Sequence, residues 1–338
     1  MPLVQAMLTT RRPAGVEVMD RHTGALLVDG GADEWPGAQG ATVKLLAYYT
    51  PASAHSTVNT TVTTTVSEPG HASRGLVILL HGWEGCSHAI FNLTLGSALV
   101  RAGYDVARLN LRDHGPTARI DPVYLNEGLF LGTLLGEVRR AVANLAALRP
   151  GGPVYLVGAS LGGNYALRLA SQAADGAHAG LDGVIAVSPV VDPARSIDLI
   201  DTNYAFRRFF RARWISTLQR KAAAFPQRYN FDGIERLSRI RPMTEWLVRR
   251  YTTFASADAY FGSYAYLDGA SRALTTPTTL LAAVDDPVIP IEDINGLADS
   301  PWLTRRILGW GGHAGLIEWP PLRHRMPDLV LDILSGAA

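Results

Sequence analysis

The chain has 338 residues, of which 47% are apolar and 18% charged. That balance excludes an intrinsically disordered or coiled-coil protein. Lys and Arg number 31 against 30 Asp and Glu, and the resulting charge of +1 excludes bulk electrostatic binding of nucleic acid. A single cysteine rules out an intrachain disulfide and fits a reducing, cytoplasmic setting.

In chain order, the opening MPLVQAMLTTRRP lacks the basic start and apolar core of a secretion signal. No stretch approaches the 18 or so apolar residues of a transmembrane helix, although peripheral membrane contact stays open. The sequons at Asn59 and Asn92 are then chance matches. Residues 1–45, rich in Gly, read as an extended arm or small strands. Val43 to Thr50 and Asn59 to Val66 are further strand candidates, the second for its β-branched run.

The pattern sharpens at Leu76. Leu76 to Leu80 is continuously apolar and stops at His81-Gly82, as a strand buried on both faces does. A helix over Phe91 to Arg101, a strand over Tyr104 to Leu111 and a helix over Leu129 to Leu148 follow. Next come a strand over Val154 to Val157, a helix over Asn164 to Ala174 and a strand over Leu181 to Val187. The alternation predicts a mostly parallel central sheet flanked by helices, an α/β fold. Strand patterning then lapses. Residues 198–256 carry twelve Lys and Arg against five Asp and Glu, and they read as a helical cap inserted into the α/β body. Strands return at Thr279 to Val284 and Thr304 to Leu308, before a last helix from Pro327 to Leu334. The expected organisation is 1–191 for the arm and first part of the core, 192–272 for the cap, and 273–338 for the rest of the core.

Three loops carry chemistry. Val154 to Asn164 reads VYLVGASLGGN, an apolar strand running into Gly-x-Ser-x-Gly with a helix behind it. Such a turn lifts the Ser160 hydroxyl above the sheet and aims the helix N-terminus at a developing oxyanion. A serine there excludes ring and halide chemistry that starts from an aspartate nucleophile, and it points to acyl transfer. The loop after Leu80 can set the Trp83 N–H opposite the Leu161 N–H, as two oxyanion donors. A serine needs a base, and the base needs an orienting acid. Leu280 to Val284 ends in Asp285-Asp286, whose directions alternate, so one of the two can hold an imidazole. Gly309-Trp310-Gly311-Gly312-His313 supplies that imidazole. His81 reads as a structural hydrogen-bonding residue, His114 as a residue at a strand end that could line the site, and Cys86 as loop packing. No metal-ligand spacing is present.

These motifs resemble the α/β-hydrolase superfamily, and within it the YheT-like group of esterases that includes the eukaryotic ABHD hydrolases. The likeness spans roughly Gly75 to Glu318. It rests on His81-Gly82-x-Glu84-Gly85, Asn110-Leu111-Arg112-Asp113-His114-Gly115, Gly158-x-Ser160-Leu161-Gly162-Gly163-Asn164, Asp285-Asp286-Pro287 and Gly311-Gly312-His313. The group more often has His-Arg-Gly where this chain has Arg112 to Gly115. The resemblance implies an α/β-hydrolase fold with a helical cap, no cofactor, and a triad in the order Ser160, Asp286, His313, with Asp285 as the second choice of acid.

The expected activity is therefore hydrolysis of an apolar or aromatic carboxylic ester through an acyl-enzyme. Trp83, Tyr204, Phe206, Phe209, Phe210 and Trp214 are candidates for the entrance under the cap. The alternatives are acyl transfer to an alcohol or thiol with the same triad, and a non-catalytic binding protein on this fold.

Overall fold

A computed structural model describes residues 16–35, 40–52, 73–117, 120–171, 180–267, 269–318 and 323–336. The expected strand at Asn59 to Val66 lies outside these residues, and the helix expected to reach Ala174 ends at Ala170, with Ser171 extended. An eight-stranded sheet has the order β1-β2-β4-β3-β5-β6-β7-β8. Its strands are β1 (Gly24–Ala32), β2 (Thr42–Thr50), β3 (Leu76–Leu80), β4 (Asp105–Leu109), β5 (Val154–Ala159), β6 (Gly183–Val187), β7 (Thr278–Ala283) and β8 (Leu303–Leu308). The pairs from β4 through β8 are parallel, while β1 and β2 pair antiparallel with each other and β2 antiparallel with β4. Part of the N-terminal arm is thus an antiparallel extension of the sheet, preceded by the short helix α1 (Val16–Arg21).

The continuous apolar runs have a simple cause. Alternate residues of a strand point to opposite faces, and both faces here are covered. Leu76, Ile78 and Leu80 of β3 join Leu156, Ala186 and Leu280 under α3 (Leu135–Ala146) and α4 (Leu161–Ala170). Val77 and Leu79 join Val157, Ile185 and Leu281 under α2 (Ile90–Arg101) and α10 (Met326–Leu334).

The helix expected from Leu129 begins only at Leu135. The backbone before it is paired with side chains instead. Phe130 N–H donates to Asp113 at 2.8 Å, Gly132 N–H donates to the Tyr260 hydroxyl at 2.8 Å, and the Leu131 carbonyl accepts from Tyr165 at 2.9 Å. The apolar spacing that looked helical comes in part from Phe130 and Leu131, which line a pocket.

Between β6 and β7 the chain forms α5 (Pro193–Thr202), α6 (Tyr204–Ala224), α7 (Ile240–Tyr251) and α8 (Ala257–Gly262). α5 starts where the Asp192 side chain accepts the Arg195 N–H, with Pro193 at its first position. The Asn203 side chain likewise caps α6 through the Ala205 and Phe206 N–H groups. All four helices contribute residues that line one cavity together with Ser160, which follows β5. Their buried residues, Leu218, Met243, Leu247 and Tyr260 among them, belong to the same apolar cluster as β3 and α4.

α9 (Ile291–Asn295) follows β7. In open α/β sheets, sites form outside the carboxyl ends of the strands where chain order reverses. Here that point lies between β3 and β5, and the loops carrying Trp83 and Ser160 both leave from it.

Candidate active site

Ser160 sits between β5 and α4 with φ 55° and ψ −117°, a strained conformation for a residue with a side chain. The surroundings impose it. A Cβ at position 158 would lie 2.1 Å from the Gly162 carbonyl oxygen, and one at position 162 would lie 2.5 Å from the Leu80 carbonyl oxygen. Only glycine fits these approaches of strand, turn and helix. The turn is held by the Ser160 N–H, which donates to the Val187 carbonyl at 2.9 Å, and by its carbonyl, which accepts from Val190 N–H at 3.1 Å. The Ser160 hydroxyl makes no capping bond to α4. It lies instead 3.0 Å from His313 Nε2.

Asp286 stands on the far side of that imidazole, its two carboxylate oxygens 3.0 and 3.1 Å from His313 Nδ1. The carboxyl is almost wholly buried, 1% exposed, whereas the His313 side chain is 19% exposed. Burial works against its charge, but the imidazole and the N–H groups of Ile289 and Val288 outweigh it and hold the carboxyl below its ordinary range. Asp285 points elsewhere. Its Oδ1 accepts from Gly311 N–H at 2.8 Å and Gly312 N–H at 2.9 Å, so it anchors the loop that carries His313. The Ser188 hydroxyl adds a second anchor by accepting the Ala314 N–H at 3.2 Å.

The loop after β3 passes directly against the serine, since a Cβ on Gly82 would lie 3.1 Å from the Ser160 Cβ. Leu161 is the first residue of α4, so its N–H is one of the donors a helix start leaves without an intrahelical acceptor. Trp83 stacks on Phe210, with centroids 5.4 Å apart and planes 9° apart, and meets Trp214 edge-on at 5.3 Å.

Trp83, Phe210 and Trp214 line an apolar cavity of about 90 Å³ together with Ser160 and His313. Phe206, Phe209 and Tyr204 are absent from its lining. Phe206 packs against the main apolar cluster, while Phe209 and Tyr204 are 51% and 67% exposed, because a helix turns about 100° per residue and presents Phe210 and Phe209 on different faces. The reading from sequence passed over the remaining walls. Ser196, Ile197 and Ile200 come from α5, Thr244, Leu247 and Val248 from α7, and Tyr260 and Tyr264 from α8 and the residues after it. Their spacing of three and four residues marks one helical face, but in a buried helix that face reads as core.

His81 and His114 take no part in the constellation around Ser160. The His81 ring lies 2.7 Å from the Gly82 carbonyl through Nδ1 and accepts the Leu111 N–H at 3.1 Å through Nε2. His114 likewise pairs with the Arg112 carbonyl at 2.6 Å and accepts the Glu84 N–H at 3.1 Å. Burial first, then the neighbouring His114, lowers the His81 pKa to about 3, and burial lowers that of His114 to about 4.

The segment where this chain departs from its group, Arg112 to Gly115, is a buried ionic structure. Arg112 donates to Asp33 at 2.8 Å and to Glu137 at 3.0 Å. Asp113 accepts from Lys221 of α6 at 2.8 Å, and the ammonium also donates to the Asn126 carbonyl at 2.6 Å. Both members of the Lys221–Asp113 pair are hidden from water, at 0% and 2% exposure. Two more basic residues of 198–256 meet acids outside that segment, in less buried pairs, Arg220 with Asp121 and Arg228 with Glu127.

Among the described residues, no group of three or more His, Cys, Asp and Glu is placed to hold a metal ion. No described helix is long and apolar enough to cross a membrane. Asn92 is fully buried in α2, and Asn59 lies outside the described residues.

The family described as serine aminopeptidase, S33, matches residues 71–301. A curated Synechocystis sp. protein, "Putative esterase slr0264", is 27% identical over 246 residues, 67% of this chain, and the match takes in 65% of that protein's length. An esterase from Pyrococcus furiosus shares the fold with a TM-score of 0.55 at 15% identity, over 94% of this chain and 92% of that one. An acylaminoacyl peptidase from Pyrococcus horikoshii does so with a TM-score of 0.52 at 11% identity, over 96% of this chain and 43% of that one. With its sheet order, its strand–turn–helix around Ser160 and a family match over most of its length, the chain belongs to the serine aminopeptidase S33 family of the α/β-hydrolase superfamily.

Proposed function

We propose that this protein is a carboxylic ester hydrolase working through an acyl-enzyme on Ser160. The observation that carries this reading is one continuous chain of contacts. Asp286 meets His313 Nδ1 at 3.0 Å, and His313 Nε2 meets Ser160 Oγ at 3.0 Å, in the wall of an apolar cavity. In that geometry His313 takes the Ser160 proton as the oxygen attacks the ester carbonyl. Asp286 fixes the tautomer with the proton on Nδ1 and stabilises the imidazolium. The N–H groups of Trp83 and Leu161 receive the oxyanion, each such donor being worth about 3 kcal/mol in the transition state. The protonated imidazole then gives its proton to the departing alcohol. Water, deprotonated by the same nitrogen, attacks the acyl-enzyme and releases the acid.

The apolar lining supports an apolar or aromatic acyl group, and the small cavity favours a short one. Residues 192–272 act as a cap, contributing the walls from α5, α6, α7 and α8. Hydrolysis of a peptide from a free amino terminus would be aided by a carboxylate in the pocket, and among the described residues that line it there is none.

A chain-length series of p-nitrophenyl esters, run on wild type and Ser160→Ala, tests the proposal. The expected result is a kcat/KM maximum at short acyl chains and a loss of about 10⁵-fold in the variant. A Ser160→Ala protein with full activity would end the reading.

A further inference from the structure

The polar atoms of the cavity wall are mostly committed. Ser160 Oγ meets His313, the Thr244 hydroxyl donates to the Ile240 carbonyl at 3.0 Å, and the Tyr260 hydroxyl accepts the Gly132 N–H at 2.8 Å. Ser196 is different. It is 3% exposed, and its Oγ is buried with no hydrogen-bond partner among the described residues. A serine inside a helix ordinarily turns its hydroxyl back to the carbonyl four residues earlier. Here that bond is not made: the Asp192 carbonyl accepts the Ser196 N–H at 3.0 Å, and the Ser196 hydroxyl stays without a partner among the described residues.

Ser196 as a residue stands on the cavity side of its helix, although its Oγ as placed is itself covered. Pro193, Ser196, Ile197 and Ile200 all line the cavity. They fall at i, i+3, i+4 and i+7 of α5, which is one helical face. Other buried side-chain atoms of the described residues also lack partners, on Asn92, Thr94, Arg108, Asp293 and Arg305, yet none of those residues borders the cavity. A buried hydroxyl without a partner is a standing desolvation penalty. An alanine on this face would avoid it and still complete an apolar wall. A serine side chain turns about its Cα–Cβ bond and its hydroxyl can both donate and accept, so on turning toward the cavity it can bond an oxygen atom that enters there.

Building on the ester hydrolase reading, we infer that Ser196 is a specificity-determining residue. Its hydroxyl pairs with an uncharged oxygen function, a hydroxyl or a keto group, carried on the acyl group of the preferred ester. A charged group does not suit the site, because among the described residues no carboxylate, ammonium or guanidinium lines the cavity to receive it.

The test compares p-nitrophenyl esters of straight-chain acids with esters of the same acids bearing a hydroxyl or oxo group at successive carbons. Each is run on wild type, Ser196→Ala and Ser196→Thr. In wild type at least one oxygenated ester exceeds its plain counterpart in kcat/KM by about tenfold, the size of one neutral hydrogen bond. That ratio falls to about one in Ser196→Ala and is retained in Ser196→Thr, which keeps the hydroxyl. Wild type showing no oxygenated ester above its plain counterpart, or an unchanged ratio in Ser196→Ala, overturns the inference while leaving the hydrolase reading intact. If no variant turns over any ester, the hydrolase reading fails, and titration calorimetry on Ser160→Ala decides the role of Ser196 separately. Tighter binding of butanediols than of 1-butanol, lost in the Ser160→Ala, Ser196→Ala double variant, upholds it. Equal binding of the two alcohols ends it.

Discussion

The rim of the sheet and the helical insertion above it are built by opposite means. At the rim, backbone geometry does the positioning. Ser160 holds φ 55°, Gly312 φ 63° and Ala314 φ 54°, glycines allow strand, turn and helix to touch, and aspartate side chains receive backbone N–H groups. In the insertion, side chains from distant parts of the sequence hold the helices down. Lys221 reaches Asp113, Thr217 donates to Glu84 at 2.9 Å, and Phe210 stacks on Trp83. The reacting groups therefore depend on local sequence, and the pocket walls depend on pairs about a hundred residues apart. A substitution at the rim should cost activity with little change in stability, and one in the insertion should do the reverse.

The largest expected effect is at the rim. Asp286→Asn keeps the shape of the side chain but offers the imidazole an amide that favours the wrong tautomer. We expect kcat to fall about 10⁴-fold with the melting temperature nearly unchanged. In the insertion, Lys221→Met leaves Asp113 buried without its cation, an expected loss of about 3–5 kcal/mol in unfolding free energy. The double variant with Asp113→Leu should recover much of that loss. Urea titration measures both. If Lys221→Met unfolds no more readily than wild type while kcat collapses, the division between the two regions is wrong.

The same division explains what could be read from the sequence. Ser160, His313 and the Asp285-Asp286 pair stand in short motifs whose glycines and strand ends are local signals, and the alternation of strand and helix marks the parallel sheet. The fastening of the insertion was not legible. Lys221 is one of twelve basic residues in its segment, and nothing near it in sequence marks it as the one whose ammonium is fully buried. Its partner Asp113 lies 108 positions away. Phe209 and Phe210 are adjacent aromatics of equal apolarity, yet only Phe210 reaches the cavity, since the phase of a helix against its neighbours is set by tertiary packing. Leu129 to Leu134 carry apolar residues at helical spacing but form a non-helical segment, with Phe130 and Leu131 in the cavity wall and its backbone bonded to Asp113, Tyr165 and Tyr260 side chains.

Glu84 joins the two regions, because it follows Trp83 in the loop after β3 and accepts from Thr217 of α6. Burial raises its carboxyl pKa from 4.5 to about 7, against the opposing pull of the Thr217 hydroxyl, Arg213 and Arg220. The folded protein thus holds this proton more tightly than the unfolded chain. The stabilising contribution is full below pH 4.5 and is lost as pH rises through about 7. At 1.36 kcal/mol per unit, it amounts to about 3 kcal/mol across that window. Glu84→Gln should remove this slope, so that the stability difference between variant and wild type grows in favour of the variant from pH 5 to pH 8. Identical pH profiles of unfolding free energy in the two proteins would show that Glu84 does not titrate in this range.

The smallest effect separates two neighbours in the chain. Asp285 and Asp286 follow the same strand, but one faces the backbone of the histidine loop and the other faces the imidazole. Asp285→Ala strands the Gly311 and Gly312 N–H groups without their acceptor, a loss of about 1–2 kcal/mol, and loosens the segment just before His313. Because the imidazole keeps Asp286, the tautomer is preserved and only its placement suffers. We expect kcat to fall about tenfold, the usual scale for a misplaced but intact catalytic group at a cost of about 1.4 kcal/mol, with KM little changed. Asp285→Asn retains an oxygen at Oδ1 that can accept both N–H groups, so it should restore most of the loss, whereas the same change at Asp286 restores nothing. If Asp285→Asn instead proved the more damaging of the two, the carboxylate that orients His313 during turnover would have to be Asp285, and the loop would have to move to meet it.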